Sequence, residues 1–179
     1  MSSDGKDVAL ATIHQQHFRR VCSKFATGIT VVTLTRSDGS PMGLTVNSFT
    51  SVSLEPPLIL VCLDLRTSAL QDLGLGAAFA INVLSEDQRE LSERFARFGE
   101  NDRFEGIEWV EGEAGAPLLD GVLATVECTV VRRIEAGDHE IVIGEAQRAS
   151  WHDGTPLVYF NSGYQALKMV DEAAGSEPE

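Results

Sequence analysis

Short polar side chains crowd one stretch of the sequence, residues 41–57 (PMGLTVNSFTSVSLEPP). Their hydroxyl and amide groups can donate hydrogen bonds to an anionic or carbonyl-rich ligand while they stay neutral. A polar edge strand that runs into a turn would have the same composition. The residues alone leave both interpretations open for this group: Thr45, Asn47, Ser48, Thr50, Ser51 and Ser53.

The same stretch predicts its own secondary structure. Leu44 and Val46 alternate with Thr45 and Asn47, which is the two-residue period of a half-buried strand. The two prolines at 56–57 lack the amide hydrogen that a strand ladder needs. The strand must therefore end there or leave the sheet.

Other residues whose side chains could take part in catalysis or bind a metal form no recognisable motif. The sequence has no HExxH, no catalytic triad motif and no paired carboxylates at motif spacing. His14 and His17 could share a metal ion. Two solvent-exposed histidines at the start of a helix are the favoured interpretation, because no third ligand is evident nearby. Gly74-Leu75-Gly76 is no dinucleotide fingerprint, because a predicted strand follows it instead of a helix. His152 belongs to no motif and is expected at the surface.

Charge excludes several classes of partner. The 27 acidic residues outnumber the 14 Lys and Arg residues, for a net charge of −13. Nucleic acids and anionic membranes bind mainly through Lys and Arg, so neither is an expected partner. A phosphate-bearing ligand would need locally placed donors.

Hydropathy and cysteine spacing indicate the compartment. No run of about 18 apolar residues predicts a membrane span, and residues 1–11 do not resemble a signal peptide. Cys22, Cys62 and Cys128 are widely spaced, which favours buried reduced thiols over disulfides or a zinc site. We therefore expect a soluble, cytoplasmic protein.

Hydrophobic patterns predict a mainly β chain with a few helices. One helix is predicted over residues 12–26, with Phe18, Val21, Cys22 and Phe25 on one face. A short helix should start at Thr67 or Ser68 and run to residue 73. A third should run over residues 85–99, because Ser85 and Gln88 have capping-box spacing.

Strands alternate with turns along most of the chain. They are predicted over residues 29–35, 58–63, 78–84, 122–134, 140–149 and 157–160, with a loop over 101–109 and a hairpin tip over 135–139. A parallel sheet would need a crossover helix between most strands, so this pattern favours a closed or sandwiched β architecture. We expect one domain over residues 12–169, a flexible N-terminus over 1–11 and a disordered acidic tail over 170–179.

Residues 43–64 (GLTVNSFTSVSLEPPLILVCLD) resemble the signature of the flavin reductase family, the reductase components of two-component flavin-dependent monooxygenases. The resemblance extends from about Phe18 to about Tyr164 and includes several separate motifs. It implies the family's fold, an FMN-binding split β-barrel. That fold is mainly β (α+β) and Greek-key-like, with a few peripheral helices.

The resemblance also implies where the flavin binds. The site would lie along the strand that starts at Pro41, at the end of the next predicted strand, at the helix start near Ser68 and on the helix that contains Arg94. Arg94 matches an ERFA-type helix motif, where it would make charge-assisted hydrogen bonds to an anionic ligand. Without the resemblance, a solvated helix arginine is favoured. Carried over residue by residue, the implied flavin set is Pro41, Met42, Gly43, Leu44, Thr45, Asn47, Ser48, Cys62, Leu63, Asp64, Ser68, Ala69, Arg94 and Phe95.

Two further segments resemble the family's nicotinamide site. Gly137-Asp138-His139 matches a GDH motif at the flavin's reactive face, although an exposed hairpin histidine is the plain alternative. Tyr159, Phe160, Asn161 and Gly163 match the second segment, where core aromatics are the alternative. This chain has Asn161-Ser162 where relatives often carry a basic residue.

The implied function is that of an NAD(P)H:flavin oxidoreductase. It would transfer hydride from NADH or NADPH to FMN or FAD and supply reduced flavin to a partner monooxygenase, as a homodimer with the flavin near the interface. No acid or base is required, and His139 would position the nicotinamide. The alternative is a split-barrel flavin-binding protein without turnover, a carrier or sensor.

Overall fold

The computed structural model describes residues 13–97 and 103–167. The expected flexible N-terminus and acidic tail lie outside the described residues, as does the predicted helix end at Gly99. None of the helices in the described ranges has the length and apolar composition of a membrane span.

Strands dominate the described chain. It has two α-helices, α1 (Gln15–Cys22) and α2 (Arg89–Phe95), and a short 3-10 helix (Ser68–Gln71) whose first turn Thr67 caps. The strands are β1 (Thr27–Gly28), β2 (Thr30–Thr35), β3 (Pro41–Val46), β4 (Thr50–Leu54), β5 (Pro57–Asp64), β6 (Ala78–Val83), β7 (Trp109–Glu111), β8 (Pro117–Leu119), β9 (Ala124–Ala136), β10 (His139–Trp151), β11 (Val158–Phe160) and β12 (Gly163–Gln165).

One antiparallel sheet of seven strands forms the body of the domain, in the order β3-β2-β6-β9-β10-β5-β4. Four strands separate β3 from β5 in this order, yet the two strands contact each other. The sheet therefore curls on itself, which confirms the expected mainly β, barrel-like fold. Two smaller sheets, β1-β11-β12 and β7-β8, complete the domain.

Both faces of β2 are buried, and each face belongs to a different hydrophobic core. Val32 points into the barrel core with Phe79 and Val61. Val31 belongs to a second core that holds α2 and the β11–β12 hairpin against the barrel, and that includes Phe95. A continuous apolar run with β-branched residues is what a strand buried on both faces needs.

The first helix is shorter and more exposed than predicted. It covers residues 15–22 instead of 12–26, and the exposed fractions of Phe18, Val21 and Phe25 are 54%, 55% and 78%. Cys22 on the same face is exposed as well, so the expectation that all three thiols are buried is wrong for Cys22; Cys62 is half-buried and Cys128 is buried. The apolar period is real, but no described part of the chain covers this face.

Tertiary pairing also moves the start of α2. The Ser85 amide donates to the Gln88 side chain at 3.0 Å, one of the two contacts of a capping box. The helix nevertheless begins at Arg89. Ser85 forms a β-bridge with Pro156, and residues 85–88 form a single turn in which the Gln88 amide donates to the Ser85 carbonyl at 3.0 Å. At the predicted hairpin tip the connection is only Gly137-Asp138, which places His139 at the start of a strand. Trp109 likewise begins a strand instead of ending a loop.

Candidate flavin-binding cavity

A cavity of about 320 Å³ opens where β3 and β5 end. Residues 44–48 form one wall and residues 62–64 form another. The end of α2 contributes Phe95, and the first residue of β10 contributes His139. The cavity therefore joins four elements that are up to 95 residues apart in the chain.

Eight of the fourteen predicted flavin residues line this cavity, and His139 of the predicted nicotinamide set joins them. The eight are Leu44, Thr45, Asn47, Ser48, Cys62, Leu63, Asp64 and Phe95. The other six are not among the described residues of its wall: Pro41, Met42, Gly43, Ser68, Ala69 and Arg94. All fourteen stay predictions as flavin contacts, and their positions give them different tasks.

Several of these six residues lie behind or away from the cavity wall and do not line it. Met42 and Ala69 are buried in the barrel core. Gly43 lies directly under Phe95, so closely that a Cβ atom there would be 2.5 Å from the Phe95 ring. Arg94 donates to the carbonyl of Glu105, a contact away from the cavity wall.

Two arginines outside the predicted flavin set also line the cavity, Arg97 and Arg103. Arg103 donates to the carbonyls of Gly43 at 2.8 Å and Phe95 at 3.3 Å, and also to that of Arg97. The exposed Arg97 follows Arg94 by three residues at the end of α2. The sequence does show three arginines over residues 94–103, which indicates positive charge in this segment. It does not show which of the three faces the cavity.

Helix α2 is fastened to β3 beside the cavity. The Thr45 hydroxyl donates to the Ser92 carbonyl at 2.7 Å, and Ser92 itself is fully buried. Phe95 packs edge-on against Phe104, with ring centroids 5.0 Å apart. Together with the Arg103 hydrogen bonds to Gly43 and Phe95, these contacts hold the apolar wall in place.

Ser48 and Asn47, adjacent in the chain, use their side chains differently. The Ser48 hydroxyl accepts from the Cys62 amide at 2.9 Å and donates to the Cys62 carbonyl at 3.0 Å. These two hydrogen bonds join the residues that follow β3 to β5. The exposed Asn47 amide has no hydrogen-bond partner among the described residues, so it can donate to a ligand.

We therefore expect alanine substitutions at these two neighbours to have different effects, one on folding stability and the other on flavin binding. Ser48→Ala should lower the free energy of unfolding by about 1–2 kcal/mol, because it removes two hydrogen bonds. Asn47→Ala should leave stability unchanged and weaken flavin binding by about 1 kcal/mol. Urea denaturation and flavin-fluorescence titration measure the two quantities. Equal effects of the two variants on both would contradict this division.

The polar end of the cavity carries His139 between two carboxylates. His139 Nδ1 lies 2.7 Å from Asp138 Oδ1, and this hydrogen bond lowers the Asp138 pKa. Across the sheet, His139 pairs in register with Asp64. Hydrogen bonds from Arg66, whose guanidinium lies 2.6 Å away, hold the pKa of the Asp64 carboxyl well below its usual range. Both carboxylates are ionised at neutral pH, and that of Asp138 is the one hydrogen-bonded to the imidazole.

The predicted nicotinamide segment lies in the small sheet, and none of its four residues is among the described residues that line the cavity. Asn161 and Ser162 have φ values of 53° and 61°, as the two central residues of a tight hairpin turn require. Lys24 donates to the Asn161 side chain at 2.6 Å and lies 5.9 Å from the centroid of the Phe160 ring. Tyr159 packs edge-on against Tyr164. The nicotinamide roles of these residues stay predictions.

The donor set of the cavity fits a flavin. Leu44, Leu63 and Phe95 offer apolar walls for a tricyclic ring, and Asn47 offers an amide for its polar rim. Arg97 brings positive charge to the cavity of a chain whose net charge is −13. The volume is near the lower end of the range for ligand sites, so it suits the ring system of a flavin better than a whole dinucleotide.

Two other depressions suit a phosphate-bearing ligand less well. One of about 380 Å³ lies beside β7 and β8 and is lined by Glu108 and Asp120. Its neighbour of about 440 Å³ is lined by Glu86, Asp87 and Asp153. Neither has a Lys or Arg among the described residues of its wall.

Comparison with known proteins agrees with this geometry. A family model for the flavin reductase like domain matches residues 22–168. The chain belongs to the flavin reductase family. Among its curated relatives, the FMN reductase (NADH) SmoA of Agrobacterium fabrum is 42% identical over 151 residues, which cover 84% of this chain and 85% of the relative.

Other members of the family are longer or have solved structures. A probable flavin reductase of Rhizobium meliloti is 43% identical over 155 residues, which cover 87% of this chain but 50% of the relative. The chain thus spans about half the length of that relative. The NADH:FAD oxidoreductase SgcE6 of Streptomyces globisporus, solved with NAD and FAD fragments, is 38% identical with a TM-score of 0.80. The match covers 88% of this chain and 94% of SgcE6.

Proposed function

We propose that this member of the flavin reductase family is an NAD(P)H:flavin oxidoreductase. It transfers hydride from NADH or NADPH to FMN or FAD and supplies the reduced flavin to a partner flavin-dependent monooxygenase. The observation that carries the proposal is the cavity at the ends of β3 and β5, where apolar walls, a donor amide, cationic side chains and His139 meet. Relatives named as reductase subunits of monooxygenases, such as HsaB of Mycobacterium tuberculosis at 38% identity, support it.

The chain's residues have limited but definite tasks in this reaction. A flavin held in this cavity would supply the redox chemistry, which is the acceptance of hydride from a nicotinamide. Leu63 and Phe95 bury the ring system and exclude water, while Asn47 donates to its rim. His139, held by Asp138, orients the nicotinamide at the open side of the cavity. No residue has to give or take a proton for the hydride to be delivered.

A second candidate is a flavin carrier or sensor that does not turn its ligand over. One observation favours it: among the described residues of the cavity wall, only His139 comes from the predicted nicotinamide set. A passive binder would use the same apolar walls and the same amide. It would have no use for His139, so the two functions differ in a measurable way.

The decisive experiment follows NADH and NADPH oxidation with and without added FMN or FAD, in the parent and in His139→Ala. We expect flavin-dependent oxidation in the parent. At saturating flavin, His139→Ala should raise the KM for NADH about three- to tenfold, in line with one lost orienting contact, while flavin affinity is nearly retained. A parent without NAD(P)H oxidation would be a carrier or sensor. Parent-like kinetics of His139→Ala would make it an ordinary strand residue.

We also propose that the protein is a homodimer and that α1 contributes to the interface. The exposed side chains of Phe18, Val21 and Phe25 form an apolar face that no described residue covers. Burial of this face against a second copy would remove it from water. The expected extent of the domain, residues 12–169, and the cytoplasmic location stay part of the proposal.

Analytical ultracentrifugation at micromolar concentration should show a dimer for the parent. Phe18→Ser combined with Phe25→Ser should shift the population toward monomer, while Val110→Ser, which changes an equally exposed side chain elsewhere, should not. A parent that sediments only as a monomer would contradict the homodimer.

A further inference from the structure

Helix α2 touches both the cavity wall and the hairpin formed by β11 and β12. Ser92, in the middle of the helix, is fully buried. Its carbonyl accepts from the Thr45 hydroxyl at 2.7 Å, and its own hydroxyl oxygen lies 2.9 Å from that of Tyr164. Thr45 lines the cavity, and Tyr164 lies on β12. One residue therefore bonds the strand of the candidate flavin site to the hairpin that resembles a nicotinamide site.

The Ser92–Tyr164 hydrogen bond is the directional contact among those that dock this hairpin on α2. The Arg89 guanidinium lies 5.0 Å from the centroid of the Tyr164 ring and is itself held by Glu93 at 2.8 Å. Tyr164 also packs edge-on against Tyr159, with centroids 5.6 Å apart. Ring contacts of this kind tolerate sliding, whereas a hydroxyl pair at 2.9 Å fixes both distance and angle.

Other contacts hold the turn of the hairpin on the side of β1. The Asn161 amide donates to the Ser23 carbonyl at 2.7 Å, and Lys24 donates to the Asn161 side chain at 2.6 Å. In its sheet the hairpin pairs only with β1, through Thr27 with Tyr159 and Gly28 with Val158.

These contacts fix β11 and the turn, whereas the Ser92–Tyr164 hydrogen bond joins β12 directly to α2 and so sets the position of that strand relative to the cavity wall. Phe95 lies one helical turn after Ser92 and forms part of the cavity wall. The same helix therefore contacts the hairpin through Ser92 and lines the cavity through Phe95.

We propose that Ser92 and Tyr164 are positioning residues that set the β11–β12 hairpin at the distance from the flavin cavity that nicotinamide binding needs. This inference rests on the proposed function. Neither hydroxyl has to touch the flavin or the dinucleotide. Each acts by holding Tyr159 and Phe160, the ring-bearing residues of β11, in place relative to the cavity.

The test compares Tyr164→Phe, Ser92→Ala and the double variant with the parent. The control is Ser150→Ala, which removes a hydroxyl pair of similar length, 2.8 Å to Thr125, on β9 and β10. Isothermal titration gives the Kd of NAD⁺ for the flavin-loaded protein, steady-state kinetics gives the KM for NADH at saturating flavin, and fluorescence gives the flavin Kd.

Each single variant should raise the NAD⁺ Kd and the NADH KM about fivefold, the worth of one hydrogen bond, with an unchanged flavin Kd. The double variant should be no worse than either single variant, because both remove the same bond. The control should match the parent in all three measurements. If Ser92→Ala does not fold, Tyr164→Phe decides alone, because it removes the bond and leaves the ring.

A lower melting temperature of Tyr164→Phe with parent values of the NAD⁺ Kd and NADH KM would overturn the positioning role and leave a purely structural bond. That result would not touch the proposed function, since the parent would still oxidise NADH with flavin. A parent that neither oxidises NADH nor binds NAD⁺ would overturn the proposed function instead.

Discussion

Gly43→Ala is expected to lower the free energy of unfolding by about 1–3 kcal/mol and to weaken flavin binding at the same time. A Cβ atom at this position would lie 2.5 Å from Cε1 and 2.6 Å from Cδ1 of Phe95, well inside contact distance. Phe95 is 1% exposed and is packed against Phe104, so its ring has little room to move except toward the cavity. Overpacking behind the wall should therefore narrow the site in front of it.

Urea denaturation and flavin titration of Gly43→Ala measure both effects. Gly28→Ala is the matched control, because Gly28 is also a strand glycine and an added Cβ there would meet no atom within 4 Å. Adding Phe95→Leu to Gly43→Ala should recover part of the lost stability, since a smaller side chain would face the new methyl group. Parent-like stability of Gly43→Ala would show that the helix can shift without cost.

Arg103→Met is expected to cost about 2–4 kcal/mol of unfolding free energy and to weaken flavin binding. The Arg103 guanidinium donates to carbonyls of β3 and of the C-terminal end of α2, at Gly43, Phe95 and Arg97. The last carbonyls of a helix have no partner within the helix, so the loss of this cation leaves them and the end of the wall unsupported. It also removes a positive charge from the site.

The measurement is equilibrium denaturation with and without FMN. Arg148→Met is the control, because Arg148 forms an ion pair with Glu113 in which both side chains are more than half exposed, and such pairs contribute little. Arg103→Lys should recover only part of the loss, since an ammonium cannot bond several carbonyls with the fixed geometry of a guanidinium. An Arg103→Met variant as stable as the control would refute this role for the residue.

Local patterns were sufficient for most of the strands. The alternation of Leu44 and Val46 with polar neighbours predicts β3, and the prolines at 56–57 mark the boundary between β4 and β5. These predictions succeed because the two-residue period and the missing proline amide act on the chain locally, whatever it packs against. The capping-box spacing at Ser85 was less reliable, because pairing with Pro156 competes with the helix.

The tasks of individual site residues depended on partners far away in the chain. Ser48 and Asn47 look equivalent in the sequence, but only Ser48 has the Cys62 backbone beside it. Arg94 and Arg97 are one helical turn apart, and packing turns Arg94 toward Glu105 and leaves Arg97 at the cavity. A helical period cannot tell which of two neighbouring side chains will face a ligand.

The sequence by itself determined the long strands, the presence of the short helices and, through resemblance, the family and its flavin chemistry, but it missed the short strands β1, β7, β8 and β12. Those properties follow from local backbone preferences and from several short motifs between about Phe18 and about Tyr164, the first of them at residues 43–64. Only the tertiary structure decided which side chains form the cavity, that Gly43 must lack a side chain beneath Phe95, and that Ser92 connects Thr45 to Tyr164. These contacts join residues 47 to 72 positions apart, and closure of the barrel and docking of α2 bring them together. No local pattern encodes such distances.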